Sequence, residues 1–199
     1  MARNSMRTFI AVPLEAALRA RLAALQEELT AAGPEVKWVE PENLHVTLLF
    51  LGEVPLRESV DVCRAVRAVA QDLVPFHMSL AGVGCFPNLR RPRTLWAGAG
   101  EGRDELIHLH HALEGPLLEL GCYRREEREY TPHITLGRMK SDDATPELLA
   151  LLTDRAEWGG GRQPVREVHV LSSELRSSSG PVYTVLSREK LRGEAEDVE

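Results

Sequence analysis

The sequence predicts an α+β fold with antiparallel strands. Short apolar runs and alternating stretches typical of strands interleave with longer stretches in which apolar residues recur every three or four positions, as in helices. Several predicted strands are joined by loops too short to hold a crossover helix, so their strands must pair antiparallel. At 199 residues, the chain is long enough to bury a core without disulfides or metals.

The predicted strands are short. Residues 9–12 form an apolar run that Pro13 ends, and residues 44–51 form a longer run interrupted only by His45 and Thr47. By the same criteria, further strands are predicted at residues 76–80, 94–97, 133–136, 165–171 and 182–186.

Apolar periodicity predicts four helices, at residues 14–29, 60–73, 106–117 and 146–152. The first is stopped by Gly33 and Pro34. The three glycines at 159–161 are predicted to form a flexible turn. Residues 177–180 are predicted to turn a hairpin between the last two strands.

The charge distribution separates a nearly neutral body from an acidic end. The net charge is −6, and four of the acids lie in residues 193–199; without those four the count is −2. We expect residues 1–192 to form a single domain and residues 193–199 to be a disordered tail. A neutral body argues against long duplex contacts, which need many cations, but permits an RNA end or small anion in a local basic cleft.

The three cysteines are scattered and include no C-x-x-C, which fits reduced thiols in a cytoplasm. The first residues are polar, so we expect no signal peptide, and no apolar run approaches the roughly 20 residues that span a bilayer. The protein is expected to be cytoplasmic and monomeric.

One four-residue pattern occurs twice. Residues 45–48 and 133–136 both read His-aliphatic-Thr-Leu, and both lie in predicted strands. Residues i and i+2 of a strand share a face, so each histidine is displayed beside its own threonine while the aliphatic residues point into the core. A single histidine in an apolar strand is usually a core residue, but repetition of the whole pattern favours a paired site.

Two imidazoles from two such strands are suited to phosphodiester hydrolysis. That reaction needs a base to take a proton from water and an acid to protonate the departing oxygen, and imidazole serves both roles near neutral pH. A five-membered cyclic phosphate is strained, so neither a metal nor a covalent nucleophile is obligatory. The candidate catalytic pair is His45 and His133.

The chain resembles the two-histidine (2H) phosphoesterase superfamily. Within it, the similarity is to the LigT-like RNA 2′,3′-cyclic phosphodiesterases of bacteria and archaea, once named 2′-5′ RNA ligases. The similarity covers most of the chain and is carried by residues 7–12, 38–54, 91–96, 130–138, 171–173 and 180–183.

The resemblance implies a bilobal, pseudo-two-fold fold with two antiparallel sheets flanking a central cleft and helices outside. It implies that His45 is the general acid on the leaving 3′ oxygen, that His133 is the general base on water, and that the product carries a 2′-phosphate. Thr47 and Thr135 match residues that hold phosphate oxygens. The substrate is expected to be RNA with a cyclic phosphate end, or a small cyclic nucleotide, and no cofactor or metal is expected.

Arg138 matches a family arginine near the phosphate, but its spacing needs explanation. Position +5 from His133 falls on the opposite face of a regular strand, so the arginine reaches the cleft only if the strand ends or bulges at Gly137. Phe9 matches a family aromatic that stacks a base, with Tyr130 as a second candidate. Six arginines are candidates for a basic rim: Arg90, Arg91, Arg93, Arg124, Arg125 and Arg128.

Other histidines carry weaker signals. His108 and His111 share a helix face, with His110 between them, but zinc-binding spacing such as H-E-x-x-H is absent, so a polar helix face is favoured over a metal site. His77 and His169 receive no role. The open alternatives are a 2′-5′ oligonucleotide phosphodiesterase with weak ATP-independent ligation, and an RNA-end binding module without turnover.

Overall fold

The structure is a computed structural model that describes residues 4–33, 35–125, 127–141, 144–176 and 180–193. Within these ranges the helices are α1 Ala16–Ala31, α2 Ser59–Asp72, α3 Arg103–Glu119 and α4 Pro146–Asp154. The first five strands are β1 Ser5–Pro13, β2 Val36–Trp38, β3 His45–Pro55, β4 Phe76–Phe86 and β5 Thr94–Ala99. The remaining strands are β6 His133–Met139, β7 Gly159–Val165, β8 Glu167–Arg176 and β9 Gly180–Lys190.

The described strands all pair antiparallel, which confirms the predicted α+β class. The strand order is β7-β4-β5-β6-β3-β1-β8-β9, and β2 pairs with the far end of β6. The two halves that the resemblance implied are therefore joined into one sheet. The joint is narrow, because β3 and β6 pair only at Val46 and Ile134. Beyond that pair the two strands diverge, and β2 takes the place of β3 beside Gly137.

Buried side chains pack the helices against one face of this sheet. Apolar residues of α1, α2 and α3 join those of the strands in a single core, and examples are Leu22, Val66 and Leu109. The opposite face is left to the half-buried side chains of the repeated motifs. None of the described helices is long and apolar enough to cross a membrane.

The prediction of a flexible turn at residues 159–161 is wrong. These residues belong to β7, where Gly159 pairs with Ala81 and Gly161 pairs with Leu80. Gly160 is required by close packing, because a Cβ atom there would overlap the ring of Trp158. Gly160 therefore allows the close approach of Trp158 within a strand.

The last described residues are bonded to the end of α2. The backbone N–H of Arg192 donates to the Ala70 carbonyl, and that of Gly193 donates to the Leu73 carbonyl. Gly193, which the sequence analysis assigns to the tail, thus contacts the end of α2. The rest of the predicted acidic tail, and residues 177–179 of the predicted hairpin turn, lie outside the described residues.

Candidate active site

The two motif strands lie side by side and present their histidines on one face of the sheet. Val46 and Ile134 are the paired residues, and both are buried, as are the leucines two positions after each of them. The register of a regular ladder from that pair puts His45 opposite Thr135 and His133 opposite Thr47. The structure thus brings together the two histidines and two threonines that the repeated motif predicted.

Both imidazoles are held by the same backbone contact. Nδ1 of His45 lies 2.6 Å from the carbonyl oxygen of Asn43, and Nδ1 of His133 lies 2.7 Å from that of Thr131. A carbonyl only accepts, so each Nδ1 carries a hydrogen and each Nε2 is left for chemistry. Nε2 of His45 is 3.0 Å from the Thr47 hydroxyl.

The surroundings lower the pKa of both histidines. Burial is the main cause for His45; the bond to Asn43 opposes it, and the nearby His133 lowers the pKa further. Burial is also the main cause for His133, opposed by the bond to Thr131 and reinforced by the positive charge of Arg138. His133 thus acts on the pKa of His45, and Arg138 acts on that of His133.

Each motif strand has a β-bulge at the leucine of its motif. On β3, Ala11 pairs with Thr47 while the adjacent Ile10 pairs with Leu49, so Leu48 is the extra residue. On β6, the neighbours Trp96 and Leu95 pair with Thr135 and Gly137, so Leu136 is the extra residue. After each bulge, the alternation of buried and more exposed residues along the strand shifts by one position.

The bulge on β6 brings Arg138 to the face of His133, as the sequence required if Arg138 was to reach the cleft. Its Nη1 donates to the Thr94 hydroxyl at 3.3 Å. The equivalent bulge on β3 acts on Phe50, which stands five positions after His45 as Arg138 does after His133. Phe50 is not among the predicted site residues, although its position relative to the repeated motif is visible in the sequence.

A cavity of about 920 Å³ opens beside the motif strands. Thr47, Thr135, His133 and Arg138 line it, and Phe50 is also in its wall. α3 and the segment before β6 also line the cavity, through the following residues: His110, His111, Glu114, Tyr123, Arg125, Arg128 and Tyr130.

Phe9 does not present a free face to a nucleobase, contrary to the stacking prediction. Its side chain is 1% exposed. Its ring centroid lies 5.0 Å from that of His45 and 5.0 Å from that of Tyr183, and it stacks on Phe50 at 5.6 Å. The ring therefore packs against the catalytic candidate, while Phe50, at 44% exposed, is the accessible aromatic.

Tyr183 was within a segment that carried the family resemblance but was not predicted as a site residue. It meets the ring of His45 edge-on at 5.6 Å. Burial raises the pKa of its hydroxyl, and the positive charges of Arg138 and Arg7 oppose that rise. Tyr183 thus lies against His45 and within the electrostatic influence of Arg138 and Arg7.

Tyr130 lines the cavity, and its hydroxyl donates to the Thr47 carbonyl at 2.8 Å. Burial raises the pKa of Tyr130, which keeps this donor protonated. One face of its ring is covered by His110, with centroids 4.1 Å apart and planes within 4°. Its clearest structural task is therefore to support Thr47, and base stacking by Tyr130 stays a prediction.

The sequence indicated that His108 and His111 share a face of α3, but the two histidines that cluster in the structure are His110 and His111. His110 and His111 approach Glu114, and their potential ligand atoms lie within 4.8 Å of one another. Glu114 already accepts from His111 and from the Tyr123 hydroxyl, and it pairs with Arg125. The carboxylate is thus satisfied by protein donors, which favours an ion-pair network. Of the six predicted rim arginines, Arg125 and Arg128 line the cavity.

Comparison with known proteins places the chain in a family. The model of the LigT-like phosphoesterases matches residues 12–96. A relative from Methanothermobacter thermautotrophicus named RNA 2′,3′-cyclic phosphodiesterase is 36% identical over 179 residues, which are 90% of this chain and 95% of that protein. A Thermus thermophilus relative with the same name is 39% identical over 95% of this chain and 92% of that protein.

Solved structures agree. A crystal structure of a Thermus thermophilus protein has a TM-score of 0.81 at 34% identity and covers 96% of this chain and 100% of that one. Escherichia coli LigT complexed with 3′-AMP has a TM-score of 0.76 at 25% identity and covers 94% of this chain and 98% of that one. The fold and the paired motifs define a phosphoesterase of the two-histidine class. More particularly, the chain belongs to the LigT-like phosphoesterase family, as its sequence indicated.

Proposed function

We propose that this protein hydrolyses RNA 2′,3′-cyclic phosphate ends to 2′-phosphate ends. The observation that carries the proposal is the presentation of two imidazoles, each with Nδ1 bonded to a backbone carbonyl, by the two strands that meet at Val46 and Ile134. The relatives named RNA 2′,3′-cyclic phosphodiesterase support the choice of substrate.

In the proposed reaction, Nε2 of His133 takes a proton from water as the water oxygen attacks phosphorus. The bond from phosphorus to the 3′ oxygen breaks, and Nε2 of protonated His45 gives its proton to that oxygen. The product is a 2′-phosphate with a free 3′-hydroxyl. The order of acid and base follows the family resemblance, and the geometry supports the pair.

The phosphate oxygens would be bound by the hydroxyls of Thr47 and Thr135 and by the guanidinium of Arg138. A guanidinium forms charge-assisted hydrogen bonds to phosphate and stabilises charge that develops in the transition state. The bulge at Leu136 supports this assignment, because it accounts for Arg138 sharing the face of His133.

For the nucleobase we propose Phe50 in place of Phe9. The ring of Phe50 lines the cavity and is 44% exposed, and the Arg7 guanidinium lies 5.4 Å from its centroid. A base that stacks on Phe50 would be held without hydrogen-bond readout, so the four bases would be accepted with modest differences. Phe50→Ala should raise KM for cyclic nucleotides while leaving the affinity for inorganic phosphate unchanged.

The test is hydrolysis of the four nucleoside 2′,3′-cyclic phosphates and a 2′-5′ dinucleotide, with and without a chelator, and with the products identified. We expect 2′-phosphates, and full activity in the chelator. Release of 3′-phosphates, or cleavage of the 2′-5′ bond with the cyclic phosphates untouched, would show that the substrate assignment is wrong. Tight binding without turnover would identify an RNA-end binding module.

A further inference from the structure

The two bulges that shape the site are each held by a buried polar side chain from a helix. On β3, Nδ1 of His110 in α3 lies 2.8 Å from the carbonyl oxygen of Leu48. On β6, Nε2 of Gln26 in α1 donates to the carbonyl of Leu136 at 2.8 Å. Each carbonyl belongs to the extra residue of its bulge. The repeat thus extends from the motif strands to the helices behind them.

A bulge interrupts the hydrogen-bond ladder, so its backbone groups need partners from elsewhere. Gln26 is 6% exposed and His110 is 8% exposed. A buried amide or imidazole must itself be hydrogen-bonded, and the bulge carbonyl meets that need for each helix residue. The Leu136 carbonyl also accepts from the Val39 N–H at 2.9 Å, and Gln26 also donates to the Val39 carbonyl at 2.8 Å, so Gln26 ties the segment after β2 to the bulge.

The bulges decide which side chain reaches the cleft. In a regular strand, the residue five positions after the motif histidine would face the core side of the sheet. The extra residue reverses that phase, so Arg138 and Phe50 emerge on the face of His133 and His45.

We infer that Gln26 and His110 are positioning residues: Gln26 holds the bulge that presents Arg138 to the phosphate, and His110 holds the bulge that presents Phe50 to the base. This inference rests on the roles given above to Arg138 and Phe50. It makes the two helix residues act on different parts of the substrate, although both contact the sheet in the same way.

The first experiment is a double-mutant cycle between Gln26 and Arg138, read as affinity for inorganic phosphate by calorimetry. Gln26→Met keeps the length of the side chain and removes its donor. We expect it to weaken phosphate binding about tenfold, since displacing a positioned group by about an ångström has large effects. The same change in an Arg138→Ala background should have no further effect, because the group it positions is gone.

Glu27→Gln, at the exposed neighbouring position of α1, is the matched control and should bind phosphate as the wild type does. Equal losses from Gln26→Met with and without Arg138 would overturn the inference, because they would show a general loss of structure. If Arg138→Ala itself leaves phosphate affinity unchanged, the role proposed for Arg138 is wrong.

The second experiment uses the geometry of the imidazole. The side-chain amide nitrogen of an asparagine at position 110 would occupy the place of Nδ1, so His110→Asn should keep the hydrogen bond to the Leu48 carbonyl. Its KM for cyclic nucleotides should therefore equal that of the wild type. His110→Leu should raise KM about as much as Phe50→Ala does, with phosphate affinity unchanged. His108→Asn, at an exposed position of the same helix that lies outside the cavity wall, should match the wild type. Equal KM values for His110→Asn and His110→Leu would contradict a positioning bond.

Discussion

At the scale of single residues, the two imidazoles have the same anchor and different neighbours. Their Nδ1 atoms are bonded to the carbonyls of Asn43 and Thr131, which stand two positions before them. Each ring also rests against an aromatic: Phe9 lies 5.0 Å from His45, and Phe86 meets His133 edge-on at 5.0 Å. Rotation of either ring would break a hydrogen bond and an aromatic contact, so both Nε2 atoms are held in place.

Replacing either histidine should abolish proton transfer while leaving the phosphate contacts. We expect His45→Ala and His133→Ala each to lower kcat by at least about 100-fold, the low end for general acid–base catalysis. Binding of a nucleoside 2′-phosphate should survive in both. Steady-state kinetics and calorimetry check this, and a variant that retains most of its kcat would remove that histidine from the mechanism.

The lowered pKa values predict an acidic pH optimum. The pH dependence of kcat/KM reports groups of the free enzyme. His133 must be neutral to act as base, and its lowered pKa keeps it neutral well into mildly acidic solution. His45 must be protonated to act as acid, and its lowered pKa makes that form decline early as pH rises. We expect kcat/KM to peak below the ordinary histidine pKa of about 6.5. An optimum in alkaline solution would contradict these assignments.

At the scale of elements, the site depends on the point where β3 and β6 part. The carbonyl of Thr47 accepts from the Tyr130 hydroxyl, and that of Leu48 is 2.8 Å from Nδ1 of His110. Side chains thus replace the ladder partners that a continuous sheet would supply. The separation of the strands makes room for the cavity. The hydrogen bonds from Tyr130 and His110 satisfy backbone carbonyls that the separation would otherwise leave without partners.

Tyr130→Phe tests this support. It keeps the ring and its stacking on His110 but removes the donor to Thr47, so we expect a loss of about 1 kcal/mol in the free energy of unfolding. We also expect a several-fold fall in kcat, because Thr47 is hydrogen-bonded to His45 and is proposed to bind the phosphate. Tyr123→Phe is the control, since that hydroxyl bonds Glu114. Similar kcat values for the two variants would argue against support by Tyr130.

The pairing of β2 with β6 permits a second test. A Cβ atom on Gly137 would come within 2.5 Å of Val36 Cγ1 and 2.8 Å of Trp38 Cε3. Gly137→Ala should therefore push β2 away and cost about 1–3 kcal/mol of stability, as overpacking does. In contrast, Gly115 of α3 has no described neighbour within 4 Å, so Gly115→Ala should leave stability unchanged or raise it slightly. Denaturant unfolding compares the two.

At the scale of the whole molecule, the approximate two-fold symmetry runs deeper than the sequence repeat. Each half supplies a motif strand, a bulge at the motif leucine, and a buried helix side chain next to the bulge carbonyl. The halves differ five positions after the motif histidine, where one half has Phe50 and the other has Arg138. A symmetric frame thus presents an asymmetric site, with an aromatic ring on one side, where we propose that the base binds, and a guanidinium on the other, where we propose that the phosphate binds.

The burial of both histidines should make global stability depend on pH. Each has a native pKa below its ordinary value, so the unfolded chain binds more protons in mildly acidic solution. This stability is complete above the ordinary pKa and is lost as pH falls through the native values. We expect the Tm to fall between about pH 7 and about pH 5. The fall should shrink in a His45→Asn, His133→Asn double variant but persist in His108→Asn, whose imidazole is exposed.

The sequence by itself determined the α+β class, the four helices, most of the strands and the pair of histidine–threonine motifs. These follow from local periodicity and from a repeat that is visible over a few residues. The sequence also indicated how Arg138 could reach the cleft, because its spacing from His133 required the strand to end or bulge near Gly137. The prediction for the glycines at 159–161 failed, because only packing against Trp158 distinguishes a close approach from a flexible turn.

The tertiary structure alone decided which aromatic is accessible and what holds the motif strands. Phe9 and Phe50 both adjoin the site, but only the bulge on β3 turns Phe50 outward while Phe9 is covered. Gln26 interrupts the apolar stripe of its helix, a signal visible in the sequence, but its partner Leu136 is 110 positions away. Such pairings depend on the register of distant strands, which the long-range packing of the chain sets and local sequence does not encode.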